Sequence, residues 1–510
     1  MKNYFLLVAA SLLTVATFGQ NRNDVALYGS DNLNGTARYQ SMSGAFGALG
    51  GDMSAINANP AGSAVFNNTV FTISATNYNV KNATNYFNGA SDTDLNKFRI
   101  NQIGGAMVFK NGNQNSPWKK FSMAFNYELS NNFENEYLAV GTGNTSIADF
   151  FVNNARGTTV DDLNTRIGES ITEAYINIGR DLGYSAQQGF LGYQNFIIDP
   201  ATPDNPDETN YISNATFSNG INQEQLVISS GSDNRYTLNF ASQYEESLYL
   251  GVNFNFHGIE RRRITQFDEF GYDSNSKLQY VQFDNDLFTY GNGFSFNLGA
   301  IAKLNDFMRL GASYQSPTWY NMTDELFQSI NSDFFADPND AEPSYSEATP
   351  NSTQFFPSYD IYIPGKYSGS LAFIFGRHGL ISADYSYQDM SNAELRPSRD
   401  PFFADENAAI SNEFQAVSTI RVGGEYRIKN LSLRGGYRYE GSPYKNEFTM
   451  GDLMGYSFGL GYNFGPTRFD LGFSQMQREY NVQLYDTGLT STAAIDNKNT
   501  NITASITFNL

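Results

Sequence analysis

The stretch GYSFGLGYNFGPTRFDLGFSQ runs from Gly455 to Gln475. Up to Phe464 every second residue is large and apolar (Tyr456, Phe458, Leu460, Tyr462, Phe464), and between them stand Ser457, Gly459, Gly461 and Asn463. After the turn FGPT, Phe469, Leu471 and Phe473 alternate with Asp470, Gly472 and Ser474. A period of two is that of a β-strand, whose successive side chains point to opposite faces. A soluble sandwich turns its large residues inward and covers the other face with charge. Here the second face carries almost no charge and almost no bulk, which fits a strand with lipid on one side and a filled lumen on the other.

The alternation recurs along the chain. Leu431, Leu433, Tyr437 and Tyr439 alternate with Ser432, Arg434, Gly436 and Arg438; the C-terminal ITASITFNL alternates Ile502, Ala504, Ile506, Phe508 and Leu510 with Thr503, Ser505, Thr507 and Asn509. About fourteen such strands are expected, near 68–80, 97–110, 118–130, 233–242, 246–258, 284–302, 307–319, 360–376, 379–392, 412–428, 430–441, 453–464, 466–480 and 498–510. Short connections (NGNQNSP, YEES, LND, GRHG, KN, GP) alternate with long ones near 81–96, 131–232, 259–283, 320–359, 393–411, 442–452 and 481–497. Sorting of loop length by end is the habit of outer-membrane barrels, with short periplasmic turns and long external loops. The expected fold is therefore all-β and transmembrane: an antiparallel outer-membrane barrel over 67–510, with both termini on the periplasmic side.

Composition agrees. Of 510 residues only 16% are charged and the mean hydropathy is −0.42, while Gly (45), Tyr (33) and Phe (42) are abundant. A barrel gives this result because its two faces cancel in a hydropathy average. A net charge of −20 argues against a nucleic-acid partner. The absence of cysteine excludes thiolate chemistry and cysteine metal sites. MKNYFLLVAASLLTVATFG reads as a signal peptide over 1–19, with Lys2 at its start and an apolar run too short to cross a bilayer. It predicts export with cleavage to the outer membrane of a bacterial cell.

Residues 20–66 do not alternate and are rich in Gly, Ala and Ser. Asp52 can cap a helical turn, and Asn59 before Pro60 makes an N-cap with proline at the first helical position. Met42, Phe46, Leu49, Met53, Ile56 and Phe66 are too apolar to be left in water. The segment is expected to fold as a hatch inside the barrel. Asn59, Pro60, Ala61 and Asp52 are its candidate gate residues, and the six apolar residues are candidates to line a ligand path.

Gly44-Ala45, Asp52, Ala55 and Asn59-Pro60-Ala61-Gly62 resemble the N-terminal hatch of the FadL/TodX family of outer-membrane channels for long-chain fatty acids and aromatic hydrocarbons. LGASYQSPT at Leu310–Thr318 is similar to that family's Gly-x-x-Tyr-x-Ser-Pro strand, and PGKYSGSLAFIFGRHGLISADYSYQDMSN resembles its Bacteroidetes branch. The resemblance implies a monomeric channel that takes hydrophobic small molecules by passive diffusion and releases them sideways through a gap in the wall near the hatch. It implies no cofactor, ion or nucleotide.

In the long external loop, Ser146–Asp149 and Thr159–Asp162 look like helix starts, and Val160, Leu163, Ile167, Ile171, Tyr175, Ile178 and Leu182 follow helical spacing. Such a face either packs on the barrel rim or, through Leu163, Ile167, Ile171, Tyr175 and Ile178, forms an external capture groove. Arg261-Arg262-Arg263 is expected to hold lipopolysaccharide phosphates, the acidic run 337–347 to be a solvated loop, and His257 and His378 to be too isolated for a metal or a catalytic triad. No enzymatic activity is expected. The alternative from another class is a structural or adhesive barrel that binds a partner through its external loops.

Overall fold

The computed structural model describes residues 21–113, 115–337 and 340–510; the expected signal peptide lies outside the described residues. Fourteen strands close into one antiparallel barrel: Val70–Tyr86, Gly89–Lys110, Trp118–Asn132, Ile221–Tyr244, Leu248–Phe270, Leu278–Lys303, Met308–Gln315 continued by Thr318–Phe334, Tyr359–Ile363 continued by Lys366–Ile374, Gly379–Asp389, Ala416–Ile428, Leu431–Glu440, Leu453–Asn463, Thr467–Gln483 and Thr492–Asn509. The first strand pairs with the second and with the last, Phe71 lying opposite Phe508. At its periplasmic level the ladder is continuous around the barrel and leaves no sheet edge to be satisfied in lipid.

The opening stretch has the expected phase. Phe458 is 57% exposed on the lipid side and Ser457 0% exposed on the lumen side. Ile506 and Phe508 face out, whereas Thr507 faces in, its hydroxyl 3.0 Å from that of Thr72.

The strands run further outward than their apolar pattern does. Segments 81–96 and 259–283, expected as loops, are strand apart from short tips, because Val70–Tyr86 meets Gly89–Lys110 in a tight hairpin and Leu248–Phe270 is followed by Leu278–Lys303. Above the bilayer the outward positions carry Asp92, Asp94, Asp284 and Asp286, so the hydrophobic signal stops while the backbone ladder continues. Arg261, Arg262 and Arg263 lie within a strand and do not form one external patch. Arg261 points inward to Asp24 (3.2 Å) and Arg262 outward to Asp286.

The long loop contains an extra strand, Asn135–Gly143, paired with Ile221–Ser229, and helices Ala148–Ala155, Ile171–Leu182 and Tyr184–Gln194. The expected continuous helical face from Val160 to Leu182 is interrupted. Gly168 has φ +85°, the helix starts at Ile171 behind a Ser170–Glu173 capping box, and Ile167 is fully exposed. Leu163, Tyr175 and Ile178 are buried with Phe150, Phe190, Phe267 and Phe283, and Ile171 packs at the margin of that cluster. These side chains fill the outer end of the barrel as a packed cap.

Candidate functional site

The N-terminal segment lies in the lumen. Helix Arg22–Gly29 runs beneath the cap, and Gly35–Phe66 fills the periplasmic half. What positions this hatch is the glycine on the inner faces of the strands. A Cβ at Gly251, Gly311, Gly423, Gly436, Gly459 or Gly472 would lie under 3.0 Å from Pro60, Gly47, Met42 or Ser43, Ser41 and Ala37. The glycine face of the opening stretch is thus where hatch and wall backbones touch. Polar side chains add ties: Ser43 to Ser457 (2.8 Å), Ser63 to Ser122 (2.8 Å) and Ala37 N–H to Ser505 (2.7 Å).

Asn59 does more than cap. Its Oδ1 accepts from Ala61 N–H (3.1 Å), closing the turn Pro60–Val65, and its Nδ2 donates to Gly47 O (2.8 Å) and to Ala300 O (3.0 Å) of the sixth strand. Asp52 accepts from Thr36 (2.7 Å) and from Ser54 N–H (3.0 Å), and so folds two hatch turns together. A buried charge ladder continues into the wall: Arg38–Glu425 (3.0 Å), Arg434–Glu425 (2.6 Å), Arg434–Asp470 (2.8 Å) and Arg468–Asp470 (2.6 Å). Every member has an opposite partner, the condition under which buried charge is tolerated.

Met42, Phe46 and Leu49 are packed with Ala372 and Leu380 between hatch and wall. Met53 and Ile56 form a separate cluster with Val70, Ala106 and Ala124, and Phe66 lies at its margin. This second cluster adjoins a break in the wall. The second and third strands pair from Lys110–Lys120 up to Gln102–Glu128. At that level both strands bulge: against the first strand the second skips Asn101 between Gln102 and Ile100, and against the fourth the third skips Ser130 between Leu129 and Asn131. Beyond it, among the described residues, no backbone ladder joins Gly89–Asn101 to 129–143.

Above the break Ser91 and Thr93 hydroxyls donate to Leu138 O and Glu136 O, and at the break itself the hatch is tied to both strands. Asn101 Nδ2 donates to Gly35 O (2.7 Å), and Asn34 Nδ2 donates to Ser130 O (3.1 Å). Asn131 accepts from Asn32 N–H (3.3 Å) and donates to Ser30 O (3.1 Å), while Tyr78 O–H donates to Asn34 (2.8 Å). Outside stand the exposed side chains of Phe98 and Ile100, and above the break Glu134 binds Arg99. The resemblance implied a gap in the wall near the hatch; its position between the second and third strands and its stopper, Ser30–Gly35, were not foreseen from the sequence.

His257 is buried against Asp233 (3.0 Å) with its ring edge-on to Tyr320, a lumen-packing role beside Tyr28 of the first helix.

A closed barrel, an internal hatch fitted to a ring of glycines, and a wall break facing that hatch define a plugged outer-membrane transport barrel. The chain belongs to the outer membrane protein transport protein family (OMPP1/FadL/TodX), whose pattern it matches over residues 236–509, more than half its length. Among solved structures it resembles a FadL homologue of Pseudomonas aeruginosa (11% identity, 94% of this chain and 99% of that one, TM-score 0.54). It is also similar to the toluene transporters TodX of Pseudomonas putida (13% identity, 94% and 99%, TM-score 0.49) and TbuX of Ralstonia pickettii (14% identity, 94% and 99%, TM-score 0.47). No curated protein matches the chain.

Proposed function

We propose that the protein admits hydrophobic small molecules across the outer membrane, passing them through the lumen and out sideways through the break between the second and third strands. The observation that carries this reading is that the stopper Ser30–Gly35 sits at the break, with the Met53–Ile56 cluster next to it on the periplasmic side. A porin lets polar solutes through a wet lumen into the periplasm. Here the hatch fills that route, and Met53 and Ile56 lie just below the break, with Phe66 further toward the strand ends. Hydrocarbons or long-chain fatty acids are the substrate class, in line with the toluene transported by two of the similar proteins.

The stopper Ser30–Gly35 is held at the break by hydrogen bonds to side chains and single carbonyls, each contributing about 1 kcal/mol net. The body of the hatch is interlocked with the glycine ring. The gate is therefore the stopper, and Asn59, Pro60, Ala61 and Asp52 hold the frame on which it turns. A ligand opens it only by binding the displaced arrangement better than the closed one. The leader 1–19 is removed on export, and the chain acts as a monomer among lipid and lipopolysaccharide.

The test is uptake of a radiolabelled alkane or fatty acid by cells carrying an Asn32→Cys/Asn131→Cys pair bridged by a short bismaleimide, which fixes the stopper across the break. Uptake should fall to the level of cells lacking the gene. Unchanged uptake would remove the lateral route.

A further inference from the structure

The periplasmic end of the lumen is not uniformly charged. On one side the cations are answered: Arg38, Arg427, Arg434 and Arg468 share Glu425 and Asp470. On the other side an inward-facing arc carries Lys110 and Lys120, opposite each other on the second and third strands, and Lys303 and Arg309, opposite each other on the sixth and seventh. None of these four makes an ion pair among the described residues. Their recorded partners are uncharged. Lys120 Nζ donates to Phe66 O (2.8 Å) and Asn67 Oδ1 (3.3 Å), and Arg309 donates to Leu49 O (3.0 Å). Lys303 and Lys120 lie 5.2 Å and 5.9 Å from the ring centre of Tyr249, the buried side chain between them. The nearby turn carboxylate Glu246 is exposed and acts on Lys120 only through its field, without an ion-pair contact.

Four neighbouring cations with no ion-pair contact among the described residues are unexpected in a chain of net charge −20. Lys120 is 8% exposed, and a cation is buried at a cost unless an anion answers it. Beside the arc Tyr249 packs with Ala61, Ala241 and Ile301, all buried, and with the half-buried Val65, while the exposed apolar side chains next to the four cations are Phe109, Phe121, Leu304 and Phe307 on the lipid face. Cations next to apolar surface recognise a molecule with an anionic head and an apolar body.

We infer that Lys110, Lys120, Lys303 and Arg309 form an anion site at the periplasmic mouth of the lumen for the carboxylate or phosphate headgroup of an amphiphile, whose tail reaches the lipid face beside the strand ends. The two sources of that chemistry are a free amphiphilic acid and a phospholipid of the inner leaflet. The site stands on charge and packing alone, so its test does not depend on transport.

Full-length folded protein in a neutral maltoside detergent is dialysed against labelled decanoate, decanol or inorganic phosphate, and the same protein in phosphatidylglycerol or phosphatidylcholine nanodiscs is analysed by native mass spectrometry. Decanoate should bind at least about tenfold tighter than decanol, with inorganic phosphate weaker than decanoate. Lys303→Gln/Arg309→Gln should cost decanoate about tenfold or more and leave decanol binding and the heat-dependent gel shift unchanged. Lys303→Arg should retain decanoate, which separates loss of charge from disturbed packing. A double-variant defect confined to retention of phosphatidylglycerol assigns the site to the inner-leaflet lipid. Equal decanoate binding by wild type and double variant, together with equal phospholipid retention, overturns the site from either source.

Discussion

At Asn59 one side chain joins three parts of the molecule: the turn it caps, the Gly47 carbonyl within the hatch, and the Ala300 carbonyl of the wall. A cap alone contributes about 1 kcal/mol, and the buried carbonyls left unanswered add about 1–3 kcal/mol each. Asn59→Ala should therefore loosen the hatch while the barrel stays folded. Uptake of a large hydrophilic antibiotic should rise several-fold with surface expression and heat-modifiability normal; an unaltered permeability would show that Asn59 does not hold the hatch. Gly311→Val should have the same effect by a steric route, since its side chain would occupy the space of Gly47. The sequence showed Asn59-Pro60 as a cap and the glycines as a small-residue face. It could not show that each glycine answers a particular hatch atom, because those contacts join residues hundreds of positions apart.

At the scale of elements, the alternation in Leu453–Asn463 and Thr492–Asn509 was legible because lipid selects every second residue. Ile506→Asp should cut assembled protein several-fold, at a cost of about 2–4 kcal/mol if the position lies near the midplane; Thr507→Ser should be mild. Quantifying the heat-shifted band of each variant checks the face assignment, and the opposite ranking would reverse it. The outer extensions of the strands were hidden in sequence because water tolerates charge there. The helix expected across Ile167 fails for a local reason, Gly168 followed by the Ser170 cap. The bulges at Asn101 and Ser130 were illegible, since an inward Asn or Ser reads like any lumen residue.

The outer extensions also carry a pH dependence. Asp284, above the bilayer, is pushed up to about 6 from 3.8, first by burial and then by the neighbouring Asp268. A carboxyl that holds its proton better folded than unfolded stabilises most at low pH, and the effect fades as pH rises through about 4 to 6. Hydrogen exchange in Leu278–Lys303 should be slower at pH 4.5 than at pH 7.5 after correction for the intrinsic rate. Asp284→Asn should flatten that difference. Equal pH dependence in both proteins would dismiss Asp284 as its source.

For the whole molecule, three packed regions lie in series: a cap under the external helices, a lumen around helix Arg22–Gly29, and the hatch. Net passage therefore requires a local displacement at each end. The hatch body is an unsuitable mover, as its backbone is threaded against the glycine ring. A Ser43→Cys/Ser457→Cys disulfide, at a pair whose hydroxyl oxygens are 2.8 Å apart in a chain with no cysteine of its own, should leave uptake of a hydrophobic tracer intact. Loss of uptake on oxidation, restored by reductant, would move the gate into the hatch body.

The lateral route itself is tested most directly by photolabelling. Cells are exposed to an alkane bearing a diazirine, irradiated during uptake, and the labelled peptides are mapped by mass spectrometry. Label is expected on Phe98–Asn101, on Leu129–Asn132 and on the Met53–Ile56 turn inside, in a pattern lost when the Asn32→Cys/Asn131→Cys bridge is closed. Label confined to the outward faces of the strands and the external loops, unchanged by the bridge, would contradict passage through the break.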